Sequence, residues 1–115
     1  MTAFNFTVNV EKVEDGRKLS TIRKKQRAKV GDKLQLYTGQ RTKSCRKLRD
    51  AVCVGTAKIE ITEEMPWFLS FVNGDVNPTR KPLHEQEGFR NVAEFVDFFR
   101  KTYGLPFVGW LHAWK

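Results

Sequence analysis

Lys18 and Thr21 are the residues whose types and spacing could carry out nucleophilic chemistry in this sequence. Asp15-Gly16 precedes them as a turn signal, because glycine tolerates positive φ and aspartate bonds locally to the backbone. A short strand should follow, and a turn or bulge before Thr21 would bring Lys18 beside it. A lysine whose pKa is lowered by burial could then activate the threonine hydroxyl. The alternative is an exposed basic hairpin with no catalytic role.

Three blocks of residues occur in order along the chain: Gly16-Arg17-Lys18 with Thr21-Ile22-Arg23, then Val30-Gly31-Asp32 with Leu34, then Glu85-Gln86-Glu87-Gly88-Phe89. A segment rich in Phe and an aromatic terminal segment follow the last block. In this order the blocks resemble the signature of the ASCH domain family, which consists of small PUA-like β-barrels associated with RNA. The resemblance covers nearly the whole chain, and its first block is the most specific part.

The resemblance implies a functional cleft. Some ASCH proteins are amidohydrolases that act on N4-acetylcytidine through Lys, Thr and Glu residues, which correspond to Lys18, Thr21 and Glu87 here. The implied reaction is that the Lys takes the Thr proton, the Thr oxygen attacks the acetyl carbon, and the Glu protonates the leaving amine. Other members bind RNA, and some act as ribonucleases. This chain departs from the amidohydrolases in two places: its basic segment 39–49, and its Phe-rich helix followed by a Trp-containing strand. The resemblance therefore does not identify the substrate.

Positive charge is concentrated in one third of the chain. The net charge is +8, yet residues 17–49 hold 13 of the 21 Lys and Arg residues and a single acid, Asp32, which gives this segment +12. A concentrated basic surface is typical of proteins with a polyphosphate partner such as nucleic acid. The alternative is a solvated face that only improves solubility. The candidate phosphate-binding residues are Arg17, Arg23, Lys24, Lys25, Arg41, Lys43, Arg46, Lys47 and Arg49.

Composition predicts one globular domain over residues 1–115, because 40% of the residues are apolar and 12% aromatic. No apolar run is long enough for a membrane span, and the N-terminus lacks the layout of a signal peptide. We therefore expect a cytoplasmic protein, in monomeric form. Its two cysteines fit a reducing compartment. With only two histidines and no paired-Cys motif, the sequence predicts neither a metal site nor a cofactor.

Hydrophobic periodicity and turn signals predict the elements of the chain. Gly55 should form a bulge, Asn73-Gly74 a hairpin turn, and residues 39–49 an exposed loop. Residues 4–10 are also compatible with one longer strand. The predicted strands start at Phe4 and after Gly16 and cover 33–38, 51–62, 67–72 and 107–114, and the predicted helices cover about 7–14, 82–88 and, from an Asn91 N-cap, 92–103.

These elements predict an α+β fold: a small PUA-like β-barrel of five or six mostly antiparallel strands with two or three helices. Phe95 and Phe99 should be core, as should Trp110 and Trp114, for which base stacking is the alternative. His112 should lie on a strand surface. The expected function is RNA or nucleotide binding in a basic cleft, and the alternative is deacylation of N4-acetylcytidine. An interaction protein that uses the aromatic C-terminal strand is a third option.

Overall fold

A computed structural model describes residues 1–64 and 67–115 and gives the protein an α+β fold of six strands and three helices in those residues. The expected α+β class and mostly antiparallel strand pairing are therefore confirmed. In chain order the elements are β1 (Thr2–Phe6), α1 (Val10–Asp15), β2 (Ser20–Arg23), β3 (Lys33–Thr38), β4 (Arg46–Ile61), β5 (Phe68–Gly74), α2 (Leu83–Gln86), α3 (Val92–Thr102) and β6 (Phe107–Trp114).

The sheet is organised around β4, which at 16 residues is the longest strand. The strand order is β1-β3-β4-β6-β2, with β5 paired to β4 outside this path. Only the β1–β3 pair is parallel among the ladders of the described residues. β1 and β2 therefore end the sheet, and no backbone ladder joins them within residues 1–64 and 67–115.

Gly55 lets β4 change its register, as the sequence predicts. The pairing of β4 with β6 shifts between Cys53 and Gly55. A Cβ atom added at Gly55 would lie 2.2 Å from the backbone oxygen of Asp75, so any side chain at this position would displace the following loop. The bulge therefore requires glycine for reasons of space.

The core consists of two clusters of buried side chains, and β6 contributes to both. Trp114 packs with Phe4 and Phe6 of β1 in the first cluster. Leu111 belongs to the second cluster, which also contains the apolar side of α3. β6 therefore joins the two clusters, through Trp114 on one side and through Phe107 and Leu111 on the other.

α3 forms as its sequence predicts. The Asn91 side chain accepts a hydrogen bond from the Glu94 backbone N–H at 2.8 Å, which caps the helix. Phe95 and Phe99 lie one turn apart and are both buried, so the predicted core role of this apolar stripe is confirmed. Gly104 follows the helix at φ 83° and donates to the carbonyl of Phe99.

Four of the predicted element boundaries are wrong. Residues 46–49 are not loop but the start of β4, where they pair with β3 and project long cationic side chains with Leu48 alone buried. Asn73-Gly74 is not a hairpin turn, because both residues still pair with Thr56 and Gly55 at the end of β5. The predicted strand after Gly16 begins only at Ser20, and the first helix spans Val10–Asp15 rather than about 7–14.

Two aromatic predictions at β6 have different outcomes. Trp114 is fully buried, which confirms its core role, whereas Trp110 is half-buried and belongs to neither core cluster. His112 is fully buried, so its predicted position on a strand surface is wrong. The reason is that the last residues of β6 are covered on both faces, one by β1 and one by the loop after β2.

Among the described residues, no helix is long and apolar enough to span a membrane.

Candidate functional site

Lys18 is placed by the short connection between α1 and β2. Gly16 ends α1 in the left-handed region at φ 86°, and the backbone N–H of Lys18 then donates to the carbonyl of Lys12 at 2.9 Å. The next N–H, from Leu19, donates to the carbonyl of Gln86 at 3.3 Å. These bonds turn the Lys18 side chain towards α2, and only 4% of the residue remains exposed.

Glu87 is placed by the last turn of α2 and by Gly88. Gly88 has φ 97°, and a Cβ there would lie 2.9 Å from the amide nitrogen of Asn9. Its carbonyl accepts a hydrogen bond from the Lys12 ammonium at 2.5 Å. The start of α1 and the end of α2 are thereby held together, and Glu87 is 2% exposed beside Lys18.

The structure therefore brings together two of the three residues predicted to carry the reaction. Lys18 Nζ donates to the backbone oxygen of Glu87 at 2.7 Å and lies 3.3 Å from its Oε1. The other carboxylate oxygen, Oε2, accepts a hydrogen bond from the Ser20 hydroxyl. A buried ion pair needs such additional hydrogen bonds to offset the loss of hydration.

Gln86 fixes the direction of these hydrogen bonds. Its Oε1 accepts from the backbone N–H and the hydroxyl of Thr79, at 3.3 and 2.8 Å. Its Nε2 donates to the carbonyl of Val76 at 2.9 Å and to Ser20 Oγ at 3.0 Å. Because an N–H can only donate and a carbonyl can only accept, the amide orientation is determined. Ser20 Oγ therefore accepts from Gln86, and its single proton faces Glu87.

Burial lowers the pKa of Lys18, because the charged ammonium loses its hydration inside the protein. The neighbouring Glu87 carboxylate opposes this shift by attraction and by its hydrogen bond. The positive charges of Arg23 and Lys12 lower the pKa further. The lysine is consequently both paired with an anion and easier to deprotonate than an exposed lysine.

A cleft of about 190 Å³ opens above this network, between the two core clusters. Lys18, Thr21 and Glu87 all line it, so all three residues predicted to be catalytic share one cavity. The structure records no hydrogen bond between Lys18 and the Thr21 hydroxyl in the described part of the chain. The other lining residues are Asn5, Phe6, Thr7, Val8, Ile22, Arg23, Phe89, Phe98, Phe99, Thr102 and Tyr103.

Arg23 forms one wall of the cleft and links the two end strands of the sheet. Its guanidinium donates to the carbonyl of Asn5 on β1 at 2.9 Å and lies 5.3 Å from the ring centres of both Phe4 and Phe6. Tyr103 also lines the cavity and is 42% exposed. Lys24 Nζ lies 5.2 Å from the Tyr103 ring, which places one predicted phosphate-binding residue at the mouth of the cleft.

His112 lies behind this wall and was not predicted as part of the site. Its ring centre is 5.2 Å from that of Phe4, and its Nε2 accepts a hydrogen bond from the backbone N–H of Arg27 at 3.0 Å. Burial lowers the pKa of His112 to about 4, and the charges of Arg23 and Arg27 act in the same direction. The ring is therefore neutral at pH 7.

The other predicted phosphate-binding residues divide into two groups. Four of them have acidic partners or lie against the fold: Arg17 bonds to Asp15, Arg46 to Glu14 and Lys47 to Asp50, and Arg49 lies beside Gly16. The second group, Lys25, Arg41 and Lys43, is exposed and has no ion-pair partner in the described residues. The loop that carries Arg41 and Lys43 reaches the cleft, because the backbone N–H of Gln40 donates to the side chain of Asn5 at 2.9 Å.

Sequence reasoning missed Ser20, Gln86, Tyr103 and His112 as parts of the site or its support. Gln86 lies within one of the motif blocks that carry the family resemblance, and Ser20 lies between the two parts of another, which was the available signal. Nothing in their types alone indicated full burial. In residues 1–64 and 67–115, no group of three or more His, Cys, Asp or Glu side chains could hold a metal ion.

Comparison with protein-family models, with curated proteins and with solved structures finds no significant match to this chain.

Proposed function

We propose that this protein is an RNA- or nucleotide-binding domain of the ASCH type, and that its cleft takes up a single base. The observation that carries the proposal is the composition of the cleft walls. Charged and hydroxyl groups from Lys18, Glu87 and Thr21 meet in one cavity with the aromatic side chains of Phe6 and Tyr103. Proteins that recognise unpaired bases combine hydrogen bonds to the base edge with aromatic stacking.

The size of the cavity supports a base rather than a larger ligand. Pockets for drug-sized molecules span about 300–1,000 Å³, whereas this cleft has about 190 Å³. A sugar and its phosphates would therefore remain outside, next to the protein surface. An unpaired or extruded base meets this requirement, since its flat ring enters a narrow pocket while the backbone stays at the rim.

The hydrogen-bond inventory leaves groups available for such a base. A lysine ammonium has three N–H donors, and two of those of Lys18 point to Glu87. The third donor, the second lone pairs of the Glu87 carboxylate and the Thr21 hydroxyl are available to a ligand in the cavity. The exposed cations Arg41 and Lys43 lie on the loop that contacts Asn5 at the rim, where they would meet phosphates.

A PUA-like barrel is part of this proposal. Side chains link β1 to β2 and to the loop after it, where a ladder is missing: Arg23 of β2 bonds to the carbonyl of Asn5, and Arg27 of the loop bonds to that of Ala3 at 2.7 Å. The Thr2 hydroxyl also donates to the carbonyl of Arg27 at 3.2 Å. These contacts support a sheet that curls until its ends approach each other, as in a partly closed barrel.

NMR titration of the protein with the four ribonucleosides tests the proposal, because nucleosides lack phosphate and report on the cleft alone. We expect chemical-shift changes around Lys18, Thr21 and Tyr103. Thr21→Val keeps the shape of the side chain and removes the hydroxyl, so affinity should fall by about tenfold, the value of one well-placed hydrogen bond. Thr42→Val is the matched control, since Thr42 lies outside the cleft. Binding that leaves the cleft resonances unchanged would overturn the proposal.

A second candidate function, hydrolysis of N4-acetylcytidine, is favoured by the lowered pKa of Lys18 in the cavity that also holds Thr21. Transfer of one proton from Lys18 to Glu87 within the pair would produce a neutral amine and a carboxylic acid. The amine would take the Thr21 proton as the hydroxyl oxygen bonds to the acetyl carbon, and the acid would protonate the N4 nitrogen as the C–N bond breaks. Water would then release acetate from Thr21.

Incubation with N4-acetylcytidine separates the two functions. Hydrolysis predicts that free cytidine and acetate appear with the wild type, that Thr21→Val abolishes the reaction, and that Thr21→Ser retains part of it. Binding without turnover predicts a stable complex and no cytidine. In that case Thr21→Val would weaken the complex, and the second candidate would be abandoned.

A further inference from the structure

A second cavity, of about 400 Å³, shares one lining residue, Phe89, with the cleft. The two cavities therefore adjoin at Phe89, which forms a shared part of their walls. We call this second cavity the basic groove. Its lining residues are Lys12, Arg17, Lys81, Glu85, Phe89 and Arg90. Four of its six lining residues carry positive charge.

Three of these cations are paired only with exposed carboxylates. Arg17 contacts Asp15 at 2.7 Å, Lys81 contacts Glu85 at 3.5 Å, and Arg90 contacts Glu94 at 3.0 Å. The cationic side chains are between 59% and 83% exposed. Ion pairs in water at this level of exposure are weak and exchange readily. An incoming anion with three or more acceptor oxygens can therefore replace the carboxylates.

Lys12 differs from the other three cations because it is held in place. Its ammonium bonds to the carbonyl of Gly88 at 2.5 Å, and no carboxylate pairs with it among the described residues. Since Gly88 follows Glu87 directly, Lys12 joins the floor of the basic groove to the backbone that carries the cleft carboxylate. Two of its N–H donors remain for a ligand.

We propose that the basic groove binds the phosphate group of the nucleotide whose base occupies the cleft. This inference rests on the proposed function for the base, and it adds a specific phosphate site. The shared wall at Phe89 is the argument for one ligand across both cavities, because a base on one side leaves its phosphodiester to pass over this side chain. Arginine and lysine side chains around one cavity supply the charge-assisted hydrogen bonds that phosphate oxygens accept.

The electrostatic link between the two cavities also supports one ligand that occupies both of them. The charge of Lys12 contributes to the lowered pKa of Lys18. A phosphate bound at Lys12 would offset this charge, so it would make the ammonium form of Lys18 more favourable. A ligand that fills both cavities would thus strengthen the pair between Lys18 and Glu87 rather than disturb it.

Most cations of the basic groove come from outside residues 17–49, the segment that the charge distribution of the sequence indicates as phosphate-binding. Lys12, Lys81 and Arg90 all lie outside residues 17–49. They are spread along the chain beside acidic residues, so their formal charges cancel locally in the sequence. Only the fold brings them to one cavity.

The test compares ribonucleosides, their 5′- and 3′-monophosphates, and inorganic pyrophosphate by NMR titration. The variant pair Lys81→Gln with Arg90→Gln removes two groove cations whose ion-pair partners, Glu85 and Glu94, are exposed carboxylates. Its matched control is Arg100→Gln with Lys101→Gln, which removes two cations paired with Asp97 and lining neither cavity. Both double variants change the net charge equally.

We expect a monophosphate to bind about tenfold or more tightly than its nucleoside, the ratio that one charge-assisted hydrogen bond provides. The groove variant should remove this advantage while leaving the nucleoside affinity unchanged, and the control should alter neither. Equal affinity for nucleosides and monophosphates, or a groove variant that weakens the nucleoside as much as the monophosphate, would overturn the inference.

If the nucleosides do not bind, titration with pyrophosphate alone still tests the anion site in the basic groove, because pyrophosphate has no base. Shifts at Lys12, Arg17 and Glu85 that disappear in the groove variant would then support an anion site without a base site. In that case the base site proposed for the cleft would be rejected, and the anion site proposed for the basic groove would be retained. If neither pyrophosphate nor any monophosphate shifts the resonances of these residues, the phosphate site in the basic groove is rejected, whatever the result at the cleft.

Discussion

Lys18 Nζ lies 2.7 Å from the backbone oxygen of Glu87 and 3.3 Å from its Oε1, although the two residues are 69 positions apart in the sequence. The pair is buried and still lines the cleft. A resting ion pair favours recognition, because it keeps the lysine charged. Desolvation favours catalysis, because it lowers the pKa of the same group. Both properties occur together, so turnover assays must decide between the two functions.

Replacing Lys18 with Met should destabilise the protein strongly. The change keeps the length of the side chain but leaves the Glu87 carboxylate buried without its cation, which typically costs about 3–5 kcal/mol. Urea unfolding would measure the effect. The double variant Lys18→Met with Glu87→Gln should recover part of the loss, and Lys101→Met is the exposed control. A Lys18→Met variant as stable as the wild type would mean that the pair contributes nothing to folding.

His112 should make the protein less stable as the pH falls. Its pKa is about 4 in the folded state, against 6.5 in an unfolded chain, so the unfolded chain takes up a proton first. Stability from this group is therefore complete above about pH 6.5 and is lost progressively down to about pH 4, by about 3 kcal/mol. His112→Gln retains an acceptor for the Arg27 N–H and should remove this part of the slope.

The pH effect is measured by denaturant unfolding between pH 4 and pH 7, with His84→Gln as the matched control. Carboxylates with lowered pKa values also lose their contribution in acid, so the difference between His112→Gln and the wild type is the quantity to compare. Parallel curves for the two proteins across this range would show that His112 titrates alike in the folded and unfolded chains.

Phe99→Ala should cost about 3–5 kcal/mol of stability, because it opens a cavity among packed aromatic rings. Phe99 contacts Phe95 at 5.3 Å and Phe107 at 5.0 Å between ring centres, so it connects α3 to β6. Val92→Ala at the exposed start of the same helix should change stability by about 0.5 kcal/mol or less. Thermal unfolding of the two variants measures the difference in stability. Equal unfolding midpoints for Phe99→Ala and Val92→Ala would contradict a core role for the apolar stripe of α3.

The exposed loop cations Arg41 and Lys43 should contribute to RNA binding through phosphates alone. The affinity for a single-stranded RNA should fall with salt, and each lost contact should reduce the slope of log K against log salt by about 0.7. Arg41→Gln with Lys43→Gln should therefore lower the slope by about 1.4 for every RNA sequence. Fluorescence anisotropy between 50 and 200 mM KCl would measure it. A loss confined to one sequence would mean that these side chains contact bases.

The meeting of Lys18 and Glu87 could be anticipated only through the family resemblance. No local pattern relates residues so far apart, and topology brings them together through backbone bonds from Lys18 and Leu19 to α1 and α2. Short-range features were easier to predict. The cap at Asn91 and the stripe at Phe95 and Phe99 depend on spacing within one helix, so the sequence contains all the information needed.

The errors arose where tertiary contacts override local preference. Three of the four residues in segment 46–49 are cationic, which favours an exposed loop. Its backbone nevertheless pairs with β3, while the cationic side chains reach solvent. Asn73-Gly74 favours a tight turn in isolation, but both residues extend β5 along β4. His112 is polar and alternates with apolar neighbours, and its burial depends on β1 and on the Arg27 backbone.

The link through Arg23 has a consequence for how the size of the cleft is set. Where ladders hold strands together, a change of width must break backbone hydrogen bonds. Here one guanidinium spans from β2 to the Asn5 carbonyl and lines the cleft as well. The aperture therefore depends on the length and rotamer of the Arg23 side chain, beside the contacts of Arg27 with β1. Substitution at Arg23 can retune which ligands enter while the ladders stay intact.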